Sequence, residues 1–239
     1  PVLPPPNTMP TRSLAASCST VPAVLARVST TESSIAVPLS RASVPPLSAT
    51  PPVKVLAAPD ATLDTATHAI WAIKPQHFKT AAVQAGPFLK GALHLSVAAG
   101  IRSDSIAQWL GSERIVRAMP NTPALVGLGQ TGLYPRAAVT KADRQWVQQV
   151  LGSTGACMWL AQESQLDAVT ALSGSGPAYV FYFMEAMARA GQSMGLSAEQ
   201  SQQLAIGTFV GASELARASA DAAGHKVLVA GSLPPALGS

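Results

Sequence analysis

Apolar runs alternate with amphipathic stretches through the middle of this chain. Three of the runs are rich in β-forming residues and predict buried strands: HAIWAI (68–73), ALHLSVAA (92–99) and RIVRAM (114–119). Between them, HFKTAAVQAGPFL predicts a helix that stops at Gly86-Pro87, and RSDSIAQWLG predicts a short helix with Gly111 as its C-cap. Alternating strands and helices are typical of a parallel sheet with crossover helices.

The pattern becomes helical in the second half. TKADRQWVQQVLG opens with a Thr140-x-x-Asp143 cap, and ACMWLA (156–161) predicts a last strand. SGSGPAYVFYFMEAMARAGQSMG then predicts a helix with Pro177 in its first turn, and Ser197 caps a second helix, AEQSQQLAIGTFVGASELARAS. Both helices are apolar on nearly every face, so both need burial on all sides. A chain of this size can hardly cover them alone, which predicts a partner subunit.

Two terminal segments differ from the rest in composition. Residues 1–52 hold 11 of the 20 prolines, with no glycine and no aromatic residue, and show no useful period. Such a segment buries too little apolar surface to offset its ordering entropy, so we expect it to be disordered or aberrant. The predicted organisation is this leader, a dinucleotide-binding part over 53–161, a helical part over 162–221 and an aberrant tail over 222–239.

Composition excludes several function classes. The 16 Lys and Arg residues are scattered, although the net charge is +4, so we expect no nucleic-acid partner. Two cysteines and four isolated histidines have no metal-ligand spacing, and we expect no metal. There is no uncharged run of 18 apolar residues and no signal-peptide pattern. The expectation is a soluble cytoplasmic protein without a membrane partner.

Candidate chemistry lies where the three predicted strands end. The carboxyl ends of parallel strands meet at one edge of a sheet, and ligands bind in the crevice there. These ends carry a cation and an amide in IKPQ (73–76), a small-residue surface in SVAAG (96–100), and a stiff turn in MPNT (119–122). Prolines on both sides hold Asn121 and Thr122 in that turn. Together the three ends predict a flat ligand lying across the edge.

Several motifs resemble the pyrroline-5-carboxylate reductase family: WAIKPQ, SVAAGI, RAMPNTPALVG, and SGSGPAYVF with the following AMARAGQSMGLSAEQSQQLAIGT. The resemblance runs from about Val53 to Asp221. It implies an α/β fold, here an incomplete Rossmann-like parallel sheet, followed by an all-helical dimerisation domain. It also implies reduction of pyrroline-5-carboxylate to proline, the last step of proline biosynthesis, with NADPH or NADH. A homodimer or higher homo-oligomer is expected through the helical domain.

The resemblance assigns site residues by position. Cofactor-binding positions are implied at Ala72, Ile73, Lys74, Pro75, Val97, Ala98 and Ala99, and at Asn121 and Thr122 near the nicotinamide. Ser173, Gly174, Ser175 and Gly176 are implied on the substrate side. Free N–H groups at a helix start attract a carboxylate, which suits an anionic substrate. The alternative for this last turn is a helix cap that only permits tight packing.

Both ends depart from the family pattern. The family has a Gly-rich phosphate-binding turn near its N-terminus, whereas this chain has no glycine before Gly86. The family also continues after the position of Asp221 with a Gly-Gly-Thr-Thr-like segment that is absent here, so no catalytic residue is assigned. We therefore expect a weakly active or inactive reductase. The alternatives are a non-enzymatic oligomerisation remnant and another dehydrogenase with the same two-domain plan.

Overall fold

The computed structural model describes residues 23–28, 34–38 and 53–223. Its contacts divide the chain into two compact units, Pro1–Pro177 and Ala178–Ser239. The first unit holds a sheet with helices, and the second is helical. Most of the predicted disordered leader over 1–52, and the tail from 224 onward, lie outside the described residues.

The first unit is built on one eight-stranded sheet. Its order is β3-β2-β1-β4-β5-β6-β7-β8. The strands are β1 (Ala23–Val28), β2 (Ser34–Pro38), β3 (Val53–Val55), β4 (Ala66–Ala72), β5 (Leu93–Ser96), β6 (Ile115–Met119), β7 (Gly129–Pro135) and β8 (Gly155–Trp159). The run β4-β5-β6 is parallel, but β7 is antiparallel to β6 and β1 is antiparallel to β4. An α/β sheet followed by a helical domain is thus confirmed, with a mixed sheet in place of a parallel one.

The predicted strands are all present within a few residues of their expected limits. β4 starts two residues earlier than HAIWAI, and β5 is the central half of its apolar run. β7 was not predicted, because its sequence GQTGLYP carries glycine and proline in place of an apolar alternation. β7 nevertheless pairs on both sides, with β6 and β8, so neighbouring strands supply the order that its own sequence pattern does not.

Six α-helices accompany the sheet in the described residues. They are α1 (Pro75–Ala85), α2 (Ser103–Leu110), α3 (Lys141–Leu151), α4 (Gln165–Val169), α5 (Gly176–Ser193) and α6 (Ala198–Ala223). The predicted caps are confirmed: Gly111 ends α2 in the left-handed region at φ 63°, and Thr140 and Asp143 form a capping box on α3. Ser197 and Gln200 bond reciprocally at the start of α6, at 2.9 and 3.1 Å.

Apolar side chains cover both faces of the sheet. On one face, Trp71 and Ile115 pack with Phe78 of α1 and Ile106 of α2. On the other, one cluster joins strand residues to α3: Leu93, Leu95, Val116, Ala118, Leu133, Val139 and Val147. Helices on both faces bury the middle strands from two sides, which explains why the three predicted strands are nearly continuous apolar runs.

The pairing of β7 with β8 requires glycine at two facing positions. Gly129 pairs with Gly155, and Gly155 has φ +134°. A Cβ on Gly155 would lie 2.1 Å from the Gly129 carbonyl oxygen, and one on Gly129 would lie 2.6 Å from that of Thr154. Such distances are far below van der Waals contact. Only glycine lets the two backbones approach this closely.

The helical unit buries little of its own apolar surface. Among the residues of this unit whose burial is described, only Gly191, Ser201 and Ala205 are buried. Large apolar side chains stand exposed along α5 and α6, among them Tyr179, Phe181, Tyr182, Phe183, Leu204, Val210 and Leu215. Exposed apolar surface of this extent marks an interaction site. Among the described residues, no helix has the length and apolar character needed to cross a membrane.

Candidate functional site

Three predicted site segments lie at one edge of the sheet. The parallel register aligns Trp71 with Ser96 and Ser96 with Arg117, so β4, β5 and β6 end side by side. The ladder continues past the strands, because the Val97 amide donates to the Trp71 carbonyl at 3.3 Å. The segments that follow the three strands (Ala72–Pro75, Val97–Ala99 and Asn121–Thr122) are therefore neighbours along this edge.

The first segment presents positive charge to the edge. Ile73 is buried and anchors the segment, while Lys74 and Pro75 are exposed. Lys74 is the N-cap of α1 and makes no side-chain cap bond, and Pro75 begins the helix. No acidic residue lies in this first turn. An ammonium group beside a helix N-terminus is suited to an anionic ligand, although neither feature alone identifies one.

The second segment offers a small-residue surface. Ala98 is buried, and its amide donates to the Ser96 hydroxyl at 3.3 Å. Ala99 and Gly100 are exposed, and Gly100 turns the chain at φ 75°. Side chains this small leave the backbone open to a flat ligand, and contact with such a ligand stays a prediction.

The third segment holds Asn121 by its side-chain amide. Its Nδ2 donates to the Ser173 carbonyl at 3.2 Å and lies 3.1 Å from the Ser173 hydroxyl, and its Oδ1 accepts from the Gln130 amide at 2.9 Å. Both ends of the amide are therefore used within the protein. Asn121 joins the exit of β6, the start of β7 and the Ser173 turn, while Thr122 beside it is exposed. The prolines around Asn121 thus fix a residue that connects two predicted site segments.

The Ser173–Gly176 segment is helical in the structure. A π-helical turn over Thr170–Gly174 links α4 to α5, and the Ser175 amide already donates to the Thr170 carbonyl at 2.9 Å. This differs from the expected free helix start, since the N–H of Ser175 is not available. Gly174 lies against Met119, because a Cβ there would be 2.8 Å from the Met119 Cε. Single π turns inside helices occur frequently at functional sites.

A buried ion pair that the sequence analysis missed lies in the same unit. Arg117 and Glu163 are 2.6 Å apart, with side chains only 10% and 12% exposed. Burial alone would raise the pKa of Glu163, but hydrogen bonds from Ser103 and Arg117 hold that pKa below its ordinary value. The signal for Arg117 was present, since it is a charged residue inside an apolar run. Nothing in the sequence identified its partner 46 residues away.

His94 is a core residue. It is fully buried on β5, where its Nδ1 accepts from the Trp71 indole at 3.1 Å. Burial, followed by the nearby charge of Arg114, lowers the pKa of His94 to about 4, so the ring is neutral at pH 7. Within the described residues no group of three His, Cys, Asp or Glu side chains could hold a metal ion.

The phosphate-binding part of a dinucleotide site is not supplied by the strand beside β4. That strand, β1, runs antiparallel to β4, so its carboxyl end lies at the opposite edge of the sheet. The residues from 1 to 85 also contain no glycine. A pyrophosphate cradle needs a Gly-rich turn that leaves the central strand at the ligand edge. The residues present suit the nicotinamide end of such a cofactor and do not suit its pyrophosphate.

Comparisons with known proteins identify several pyrroline-5-carboxylate reductases as relatives. The family model described as pyrroline-5-carboxylate reductase dimerisation matches residues 163–231. The pyrroline-5-carboxylate reductase of Pseudomonas aeruginosa is 45% identical over 152 residues, covering 63% of this chain and 56% of the relative. That of Pisum sativum is 38% identical over 168 residues, covering 70% and 61%.

Solved structures of similar proteins agree. The pyrroline-5-carboxylate reductase of Coxiella burnetii matches with a TM-score of 0.65 at 33% identity, covering 73% of this chain and 64% of that one. The Plasmodium falciparum pyrroline carboxylate reductase, solved with NADP bound, matches at 0.64 and 29% identity, covering 77% and 71%. The chain spans less than two thirds of the length of the two curated relatives described above.

Proposed function

We propose that this chain, which belongs to the pyrroline-5-carboxylate reductase family, is a weakened reductase that converts 1-pyrroline-5-carboxylate to L-proline with NADPH or NADH. One observation carries the proposal. The hydrogen bonds from Asn121 to Ser173 bring a segment expected beside the cofactor against one expected beside the substrate. A hydride donor and its acceptor must lie in contact, so the two segments belong together in such an enzyme.

The chain's own contribution is alignment. Ala72, Ile73, Lys74, Pro75, Val97, Ala98, Ala99 and Thr122 would hold the cofactor along the sheet edge. Asn121 would keep the edge in register with the turn over Ser173, Gly174, Ser175 and Gly176, where the substrate would lie. The bound nicotinamide supplies the hydride that reduces the C=N bond. No side-chain nucleophile is needed, and we assign no catalytic residue.

The proposed impairment rests on the direction of β1 and on the composition of residues 1–85. Backbone N–H groups of a Gly-rich turn supply much of the grip on a dinucleotide pyrophosphate. Here β1 runs antiparallel to β4, so its carboxyl end lies at the opposite edge of the sheet, and the segment that follows it contains no glycine. We expect the main defect in cofactor affinity, seen as a raised KM for NADPH. The Lys74 side chain and the α1 N-terminus would retain part of the attraction for the phosphates.

Assembly is proposed through the helical unit. The matched family model concerns dimerisation, and α5 and α6 expose apolar side chains over most of their length. Pairing with a second copy would bury this surface and provide the core that the unit lacks. A homodimer or a higher homo-oligomer is thus proposed, with a cytoplasmic location as a prediction.

The test uses the purified full chain beside the Pseudomonas aeruginosa relative. NADPH oxidation is followed with 1-pyrroline-5-carboxylate as substrate, and NADPH binding is followed by fluorescence titration. We expect turnover with a KM for NADPH at least tenfold above that of the relative. Turnover with an equal KM would contradict the impairment. Growth of a proline auxotroph expressing the chain would count against a dehydrogenase with a different substrate.

A second candidate is a non-enzymatic oligomerisation module. The observation that favours it is the same exposed apolar surface on α5 and α6, combined with a strand beside β4 that runs antiparallel to it. This candidate predicts a stable oligomer by light scattering and no detectable binding of NADPH or NADH at millimolar concentration. Saturable nucleotide binding would exclude it.

A further inference from the structure

One carboxylate holds three separate segments of the first unit. Glu163 Oε1 accepts from the Ser103 amide at 2.5 Å and from Arg117 Nη1 at 2.6 Å, and Oε2 accepts from the Ser103 hydroxyl at 2.8 Å. Ser103 is 60 residues away in sequence. Both carboxylate oxygens are used, and the charge of Glu163 is matched by that of Arg117 in a buried place.

Each of the three segments leads into the candidate site. Ser103 directly follows the loop that begins with Val97–Ala99. Arg117 lies on β6, which continues into the Asn121 turn, and Glu163 precedes α4 and the π turn that contains Ser173. The Glu163 carboxylate is thus bonded to α2, which follows the Val97–Ala99 loop, and to β6, which leads into the Asn121 turn. Its own segment continues into the Ser173 turn.

Glu163 also replaces a local helix cap. The N-cap residue of α2, Arg102, makes no side-chain cap bond. The first N–H groups of a helix need acceptors, and a negative charge near them is favourable. Glu163 supplies both from a distant part of the chain. The Val97–Gly100 loop leads into α2, which begins at Ser103. Fixing the start of α2 therefore restrains the end of this loop.

We propose that Glu163 is a positioning residue for the nucleotide site, which sets the Val97–Ala99 loop and the Asn121 turn in register through Ser103 and Arg117. The inference rests on the proposed function for its consequence in binding, although the positioning itself concerns the fold. Glu163→Gln keeps the shape of the side chain but removes its charge. The amide oxygen of glutamine can still accept from the Ser103 N–H and from Arg117, and its NH₂ can donate to the Ser103 hydroxyl, so the variant removes the negative charge that strengthens these bonds and balances Arg117.

The matched control is Glu214→Gln. Glu214 is also a carboxylate paired with an arginine, at 2.5 Å from Arg217, but its side chain is 61% exposed and it lies on α6 in the helical unit. Amide hydrogen exchange is measured by mass spectrometry on peptides that cover 97–103, 119–122 and 170–175. We expect exchange at least fivefold faster in all three after Glu163→Gln, with β5 core amides unchanged and no change after Glu214→Gln.

Binding of NADPH provides the second readout. The Kd of the Glu163→Gln variant should rise about tenfold, and that of Glu214→Gln should stay within twofold of wild type. Unchanged exchange in the edge peptides after Glu163→Gln would overturn the inference, as would an unchanged Kd. If wild type itself binds no NADPH, the proposed function fails, and the exchange data still decide the positioning role. Ser103→Ala removes the hydroxyl bonds to Glu163 and from Arg136 but leaves the Glu163 charge in place, and it gives a milder test with the same expected pattern if Glu163→Gln does not fold.

Discussion

The buried histidine makes the first unit sensitive to acid. His94 lies fully buried between strands and accepts the Trp71 indole N–H at Nδ1. Protonation there would charge a group surrounded by core side chains and take away the lone pair that Trp71 uses. Desolvation by burial, with a smaller effect of Arg114, lowers its pKa from 6.5 to about 4. The unfolded chain has no such restriction, so its histidine titrates near the ordinary value.

The size of the effect follows from the difference between the two pKa values. From 6.5 to about 4, at 1.36 kcal/mol per pKa unit, the contribution of His94 is about 3 kcal/mol. Because the folded pKa is the lower one, the unfolded state takes up the proton first as pH falls. The contribution is complete above pH 6.5, declines between 6.5 and 4, and is lost below. Asp143, whose pKa is lowered to about 2, acts in a separate and more acidic window.

The assay is urea unfolding followed by tryptophan fluorescence between pH 7.5 and 4.5. All four tryptophans (Trp71, Trp109, Trp146 and Trp159) lie in the first unit, so the signal reports that unit alone. We expect the free energy of unfolding of wild type to fall by about 2.5 kcal/mol more than that of His94→Gln over this range, because the loss is not yet complete at pH 4.5. His77→Gln, at an exposed position on α1, is the control and should keep the wild-type dependence.

The comparison of slopes is the decisive measurement. His94→Gln is expected to be less stable at neutral pH, since Trp71 loses its best acceptor. That loss of stability does not change the slope of stability against pH. A pH dependence of His94→Gln equal to that of wild type would refute the reasoning. It would mean that the ring is protonated equally in the folded and unfolded states.

Three further predictions concern turns, caps and assembly. Gly155→Ala should lower the free energy of unfolding by about 3 kcal/mol or more, because its Cβ would lie against backbone atoms. Gly152→Ala, whose Cβ would lie in open space, should not. Equal urea midpoints for the two variants would contradict this. Thr140→Ala should cost about 1 kcal/mol by removing the capping box of α3, again measured in urea, and no shift would show that the cap is not stabilising. Phe181→Glu should lower the mass measured by light scattering, whereas Gln192→Glu on the same helix should not; an unchanged mass would argue against assembly through α5.

Local order was largely predictable. β4, β5, β6 and β8, helices α1 and α2, and the caps at Gly111, Thr140 and Ser197 follow from patterns within a few residues. Apolar periodicity reports burial of a segment, and capping residues bond to backbone three positions away. The common edge of the candidate site was also predictable, because crossover connections force parallel strands to end together. Whether each site residue contacts a cofactor stays a prediction.

Long-range contacts were decided by the tertiary structure. The sequence alone predicted strands β4, β5, β6 and β8, the described helices other than α4, and the meeting of three strand ends. It did not determine that β1 and β7 run antiparallel to their neighbours, that Asn121 bonds Ser173, or that Glu163 caps α2. Strand direction depends on how the connections between strands run. The pairing of Asn121 with Ser173 joins residues about 50 positions apart in the chain. A pattern of apolar and polar residues does not specify which partner a polar group will have, because a buried donor is satisfied equally well by any suitably placed acceptor.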